Sequence, residues 1–151
     1  VADALARGRA RAAAGLVEGT FDRVMSNPPF HDPARHRASP VRGLAYSGGD
    51  EVLEGFVRTA AAVLRPGGTL TLIHRADRPV ELLGVMAGRF GGLAVRPVHP
   101  KPGMAAVRLI VTGVKGSRAP VSILPGMVLQ DGEGRVTGEA ERVLRGAEGL
   151  G

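Results

Sequence analysis

The architecture of this chain follows from a ten-residue stretch, Phe21-Asp22-Arg23-Val24-Met25-Ser26-Asn27-Pro28-Pro29-Phe30. Its first six residues form a short apolar run with turn signals on both sides, which predicts a β-strand over 21–26. The strand must end at Asn27, because the prolines that follow cannot donate hydrogen bonds to a sheet. A polar side chain therefore comes directly after the carboxyl end of a strand, where open α/β sheets bind their ligands.

Helical periodicity recurs on both sides of this strand. Asp50 is predicted to cap a helix whose apolar stripe spans 53–64 and which is stopped by Pro66-Gly67-Gly68. Pro79 is expected in the first turn of another helix, with an apolar stripe over 82–90. Two further helices are predicted at 4–16 and 137–144, the second of them short.

The remaining apolar runs predict the rest of the sheet. Strands are expected at 69–74, 93–98 and 106–115, with a weaker extended stretch at 121–129. Alternating strands and helices favour an α/β fold, a mainly parallel sheet with helices on both faces. The pair 93–98 and 106–115 has no helix between its members, which predicts an antiparallel hairpin at one edge. We expect one domain over 1–145 and a disordered tail at 146–151.

The composition limits the classes of function. The chain has a net charge of +6, in which arginine dominates, and such a basic surface attracts nucleic acid, although codon bias produces the same usage. No cysteine is present, which excludes disulfides and thiolate metal sites, and the four histidines lack metal-ligand spacing. No long apolar stretch and no signal peptide is seen, so the expectation is a cytoplasmic protein with no membrane and no metal partner.

The Asn-Pro-Pro-Phe motif suits one kind of chemistry. The exocyclic amine of adenine is a poor nucleophile, because its lone pair is delocalised into the ring. The Asn27 carbonyl and a nearby backbone carbonyl could accept its two N–H bonds and leave the lone pair facing a methyl donor. An aromatic ring directly after the prolines could stack on the base. Positioning and electrostatics would then supply most of the catalysis.

Residues 22–30 resemble the strand-four signature of class I amino-methyltransferases, in which an acidic or amide residue precedes Pro-Pro-aromatic. The whole chain is similar to bacterial tRNA adenine-N6 methyltransferases of the small-domain type, which modify the adenine beside the anticodon of a valine tRNA. The supporting stretches are Val1-Ala2-Asp3-Ala4, Asn27-Pro28-Pro29-Phe30-His31, Leu64-Arg65-Pro66-Gly67-Gly68, His99-Pro100-Lys101-Pro102-Gly103 and residues 106–111. The resemblance implies the C-terminal part of a Rossmann-like class I methyltransferase sheet, with S-adenosylmethionine as cofactor and tRNA as partner.

The resemblance also assigns residues. Asn27 and the Pro28 carbonyl, with Pro29 fixing the backbone, would hold the target amine, and Phe30 would stack on the base. Asp3 and the Ala4 amide would contact the adenine of the cofactor, and Asn27 is the third expected cofactor-binding residue, although Asp3 also suits a simple helix cap.

Four further residues are candidates for substrate binding. His31 adjoins Phe30, and Tyr46 could stack on a second nucleotide, but both also suit an ordinary polar loop. Lys101 and Arg108 fall in the predicted hairpin and are candidate RNA contacts on the basis of charge.

One departure from the family is expected to matter. No Gly-x-Gly segment follows a strand and opens a helix, so the glycine-rich cofactor loop of the family is absent. The resemblance therefore implies a fragment that begins near the end of strand three and is inactive alone. Strand 21–26 would then be an exposed apolar edge, which invites a homodimer.

Two other functions remain open. The same motif serves methylation of a protein glutamine or of an adenine in DNA or rRNA. A non-catalytic RNA-binding remnant is the third possibility, and salt-dependent RNA binding without cofactor affinity would favour it.

Overall fold

The computed structural model describes residues 8–28 and 48–146, with the side chains of 48–50 excepted. The elements, in chain order, are α1 (Gly8–Ala13), β1 (Phe21–Ser26), α2 (Gly48–Val63), β2 (Leu64–Arg75), α3 (Pro79–Ala87), β3 (Phe90–His99), β4 (Arg108–Lys115), β5 (Ser122–Ile123), β6 (Met127–Val128) and α4 (Gly138–Leu144). The strands form one sheet in the order β1-β2-β4-β3-β5, with β6 also pairing with β3.

The sheet is mixed in direction. β1 pairs with β2 in parallel, whereas β4 pairs antiparallel with both β2 and β3. The predicted antiparallel hairpin of β3 and β4 is confirmed. The strands of the hairpin do not follow β2 in chain order across the sheet, because β4 lies between β2 and β3. The short strands β5 and β6 pair with β3 on its other side.

Helices cover both faces of the sheet, as predicted. On one face, which we call the α2 face, α2 and α3 pack on a core that includes Leu72 and Val111. On the opposite face, the α4 face, Ile110 packs with Met127 and with Val143 of α4. Adjacent residues of β4 thus contribute to different clusters, as side-chain alternation along a strand requires.

Two predicted helix ends were wrong for the same reason. Leu64, expected to close the stripe of α2, is the first residue of β2, and Phe90, expected on α3, is the first residue of β3. Both side chains enter the core of the α2 face, so their apolar character continues the helical period after the helix has ended.

The segment Pro66-Gly67-Gly68 does not stop a helix but lies within β2. It forms an irregular start of the ladder with β1, in which Phe21 pairs with Leu64 and Arg23 already pairs with Thr69. Gly67 has a φ of 77°, and a Cβ at Gly68 would come within 2.9 Å of the Arg65 carbonyl, so a side chain would not fit there.

The other boundaries differ less. Strand 21–26 is confirmed, and Thr137 caps α4 by accepting a hydrogen bond from the backbone N–H of Ala140, 3.2 Å away. α1 ends at Ala13, before the predicted residue 16, and α2 begins at Gly48, so Asp50 lies in its first turn rather than at its cap. The stretch 121–129 forms only the two-residue strands β5 and β6.

β1 is an edge strand within the described sheet, since it pairs with β2 alone. Met25 on this strand is 71% exposed. The homodimer that the sequence suggests for this edge stays a prediction.

Candidate active site

The Asn27 side chain lies where the sequence placed it, directly after the carboxyl end of β1. Ser26, the last residue of β1, pairs in parallel with Leu72 of β2, so the two strands end on the same side of the sheet. Asn27 is exposed, and Pro28 after it is buried. A fixed φ and a buried ring hold the backbone here, so the exposed amide is presented from a rigid support.

Most of the other predicted site residues lie outside the described part of the chain. They are Asp3, Ala4, Pro29, Phe30, His31 and Tyr46. Their assigned roles stay predictions.

The end of β2 adds a group of charged residues beside Asn27. Arg75, the last residue of β2, donates from Nε to Oδ1 of Asp77 over 3.0 Å and makes a second bond to the other carboxylate oxygen. This hydrogen-bonded pairing with Arg75 lowers the pKa of Asp77. Arg78 pairs with Glu81 over 3.1 Å. Asp77 is therefore a weak base, and both carboxylates are held by arginines.

His74 lies one residue before Arg75 and is buried, with 8% of its surface exposed. It alternates with Leu72 and so lies on the α2 face, opposite Leu109 of β4. Burial lowers the pKa of His74, partly opposed by its hydrogen bond to the Arg75 carbonyl and by the charges of Glu81 and Asp77. The imidazole is therefore neutral at pH 7.

We expect His74→Gln to flatten the dependence of stability on pH. The pKa of His74 is lower in the folded than in the unfolded chain, so the unfolded state binds more protons below about pH 6.5. The wild-type free energy of unfolding should therefore fall as the pH drops below 6.5, until the folded-state pKa is also passed. Urea denaturation between pH 5 and 8 measures this, and identical profiles for the two proteins would contradict it.

The structure places the two predicted RNA contacts at the same end of the sheet. Arg108 begins β4 directly opposite Arg75, at the end where Asn27 follows β1. Lys101 lies in the turn between β3 and β4, which follows the end of β3 at this same edge, and its ammonium group approaches Gly134 in the turn before α4. Arg108 is the nearer of the two to Asn27 in strand order, because β4 pairs with β2 and β3 lies beyond it.

An apolar cavity of about 170 Å³ lies between β1 and α2. Its lining residues are Leu16, Phe21, Val24, Met25, Ser26, Phe56, Thr59, Ala60 and Val63. None of these side chains is charged, and Ser26 and Thr59 supply the only polar groups, so the cavity suits apolar packing and offers no carboxylate or imidazole for acid–base chemistry.

A family model for the methyltransferase small domain matches residues 8–98, more than half of the chain. The chain belongs to this family. The matched segment runs from α1 through β3 and includes Asn27 and the end of β2. The α/β sheet is accordingly a Rossmann-like methyltransferase fold, as the motif after β1 predicted.

Two solved structures resemble this methyltransferase domain. A predicted O-methyltransferase from Agrobacterium tumefaciens shares 34% identity with a TM-score of 0.76, over 96% of this chain and 61% of its own. A candidate DNA modification methylase from Thermus thermophilus shares 20% identity with a TM-score of 0.51, over 80% of this chain and 55% of its own, and shows likeness of fold alone. This chain thus spans less than two thirds of the length of each. No curated protein matches the sequence.

Sequence reasoning missed the charged end of β2 in this methyltransferase domain. Its signal was visible as two polar residues, His74 and Arg75, that close an otherwise apolar strand. What could not be seen is that Arg108 stands opposite Arg75, because that depends on the register between β2 and β4.

The described residues give no sign of a metal centre or a membrane span. Residues 8–28 and 48–146 contain no group of three histidine, acidic or cysteine side chains that could hold a metal ion. Within the same residues, no helix combines the length and the apolar character needed to cross a membrane.

Proposed function

We propose that the protein is an S-adenosylmethionine-dependent methyltransferase that methylates the exocyclic N6 amine of an adenine in tRNA. The observation that carries the proposal is the exposed Asn27 amide after β1, followed by the buried Pro28. The family match supports methyl transfer, and the adenine and the tRNA are inferred from the motif and the charge.

The proposed role of the motif is to hold the amine and to direct its lone pair. The Asn27 side-chain oxygen accepts one N–H, and the Pro28 carbonyl accepts the other. Phe30, with His31 and Tyr46 as further candidates, stacks on or contacts the flipped-out nucleotide. Because no proton must leave before the nitrogen attacks, this role requires hydrogen-bond acceptors rather than a strong base.

The cofactor would supply an electrophilic methyl group beside Asn27. Asn27 is exposed at the strand end, which fits contact with such a ligand. Asp3 and Ala4 are the residues proposed to bind its adenine, and the glycine-rich loop of the family has no counterpart in the 151 residues. Cofactor binding by these residues alone is therefore expected to be weak.

The charges at this end of the domain favour a nucleic acid over a protein glutamine. Arg75 and Arg108 lie at the same strand ends as Asn27, and the whole chain has a net charge of +6. Phosphate groups are attracted to such a surface, whereas a neutral glutamine side chain gains nothing from it. An RNA substrate also fits the cytoplasmic location that we propose.

Transfer to oxygen, the activity predicted for the Agrobacterium protein, fits this site less well. A hydroxyl must lose its proton to attack efficiently, so a base is needed. The described carboxylates nearest the strand end are Asp77 and Glu81, and each is paired with an arginine. The lowered pKa of Asp77 makes it a poor proton acceptor, and the neutral imidazole of His74 is buried on the α2 face, opposite to the face of Arg75.

The test is methyl transfer by the protein as its complete gene encodes it. The purified enzyme is incubated with labelled S-adenosylmethionine and unmodified total tRNA, and the RNA is digested to nucleosides. N6-methyladenosine supports the proposal, and a methylated ribose overturns it in favour of O-methylation. Label on protein glutamine, or on DNA but not on RNA, would overturn tRNA as the proposed substrate and leave methyl transfer to nitrogen as the reaction.

A further inference from the structure

Two arginines stand side by side on the strands that end near Asn27. Arg75, the last residue of β2, and Arg108, the first of β4, are direct partners in the antiparallel ladder. Like charges directly opposite each other destabilise a strand pair, so this placement has a cost to folding. A site that binds an anion would offset that cost.

Both arginines lie on the α4 face. Side chains alternate along a strand, so Arg75 lies on the same face as Ile73, and Arg108 on the same face as Ile110. Both isoleucines belong to the cluster on that face. The two guanidinium groups therefore project in the same direction and can approach one ligand.

The described contacts of the two arginines differ. Arg75 is paired with Asp77, and Arg108 is exposed and donates from Nη1 to the Val107 carbonyl over 2.9 Å. The exposed Arg108 is therefore accessible to a ligand from solvent.

The position of Arg75 and Arg108 relative to Asn27 indicates which part of a substrate they could bind. Ser26 pairs with Leu72, so Asn27 follows at the level of Ile73, two residues before Arg75. If Asn27 continues this register, ideal spacings of about 4.8 Å between strands and about 3.3 Å between residues place its Cα about 8 Å from that of Arg75. A group bound by these arginines thus lies next to the target base rather than upon it.

We propose that Arg75 and Arg108 bind a backbone phosphate of the polynucleotide beside the adenine held by Asn27. The planar guanidinium fork matches the oxygens of a phosphate, and Arg108 has the exposure that such contact requires. This inference rests on the proposed function and refines it. A free base or nucleoside is a poor substrate, because the phosphate contact positions the nucleotide that carries the adenine.

The test compares Arg108→Gln and the double variant Arg75→Gln/Arg108→Gln with Arg118→Gln, in the protein encoded by the complete gene. Arg118 is exposed and follows β4 at its opposite end, so its substitution removes the same charge far from Asn27. Arg108→Gln leaves the Arg75–Asp77 pair intact, which guards against a general loss of fold. Binding of unmodified tRNA is measured by fluorescence anisotropy between 50 and 300 mM salt, and methyl transfer is measured separately.

We expect Arg108→Gln to weaken tRNA binding about tenfold, equivalent to one charge-assisted contact. The slope of log K against log salt should become shallower by about 1, with affinity for S-adenosylmethionine unchanged. Arg118→Gln should match the wild type in tRNA affinity, in salt slope and in affinity for S-adenosylmethionine.

Equal tRNA affinity and equal salt slope in the wild type and the double variant would overturn the phosphate site, even if the enzyme methylates adenine. If the variants show a shallower salt slope than the wild type, but the wild type methylates no nucleic acid, the phosphate site is kept and the proposed function is overturned.

Discussion

Replacing Asn27 by alanine is expected to lower the rate of methyl transfer by at least about 100-fold, the size of effect seen when one preorganised polar group is removed from a transition state. The amide oxygen is proposed to accept an N–H of the target amine while positive charge develops on that nitrogen. Because Asn27 is exposed, its loss should leave stability within about 0.5 kcal/mol of the wild type. Single-turnover methyl transfer and thermal unfolding measure the two quantities.

The chain offers a matched control for this substitution. Gln130 carries the only other side-chain amide in the sequence and lies in the bridge before α4, far from β1. Gln130→Ala should transfer methyl groups at the wild-type rate. Asn27→Asp, which keeps an acceptor oxygen, should retain more activity than Asn27→Ala. Wild-type activity in Asn27→Ala would contradict the assigned role of the motif.

Gly91→Ala is expected to destabilise the fold by about 3 kcal/mol, at the upper end of the range for overpacking. A methyl group at Gly91 would overlap the backbone carbonyl of Ser117, in the segment that follows β4. Backbone cannot rotate away as a side chain can, so β3 and this segment would have to separate. For a chain of this size the midpoint of thermal unfolding should fall by about 10 °C.

Gly84→Ala makes the same chemical change with the opposite expected sign. Gly84 lies within α3, and an added methyl group would meet nothing within 4 Å. Alanine should therefore stabilise the helix by about 1 kcal/mol through its higher helix propensity. Equal stability of Gly91→Ala and the wild type would show that the close approach to Ser117 is not needed for folding.

The elements that were predicted correctly are those in which the local pattern and the tertiary environment agree. The apolar run 21–26 ends at prolines, so no longer-range contact was needed to identify it. The helix ends predicted at Leu64 and Phe90 were wrong, because a buried apolar residue satisfies the helical period whether or not the helix continues. Pattern alone does not distinguish the last residue of a helix from the first residue of a buried strand.

The candidate site likewise has one part that the sequence predicts and one part that it does not. Asn27 was identified because a rare local motif carries its chemistry, and the structure places it at a strand end. The pairing of Arg75 with Arg108 depends on the register of two strands far apart in sequence. No local pattern encodes that register, and Lys101, which has the same charge, follows β3 and is not part of this cross-strand pair.

The insertion of β4 between β2 and β3 has a consequence for the order of folding. During synthesis β2 and β3 emerge before β4, yet they are not neighbours and meet only through it. Until residues 108–115 are available, β2 and β3 are not hydrogen-bonded to each other, and each has an open hydrogen-bonding edge. The sheet is therefore completed late, through contacts between residues that are far apart in sequence. Such contacts slow folding and prolong the exposure of the nascent chain to chaperones.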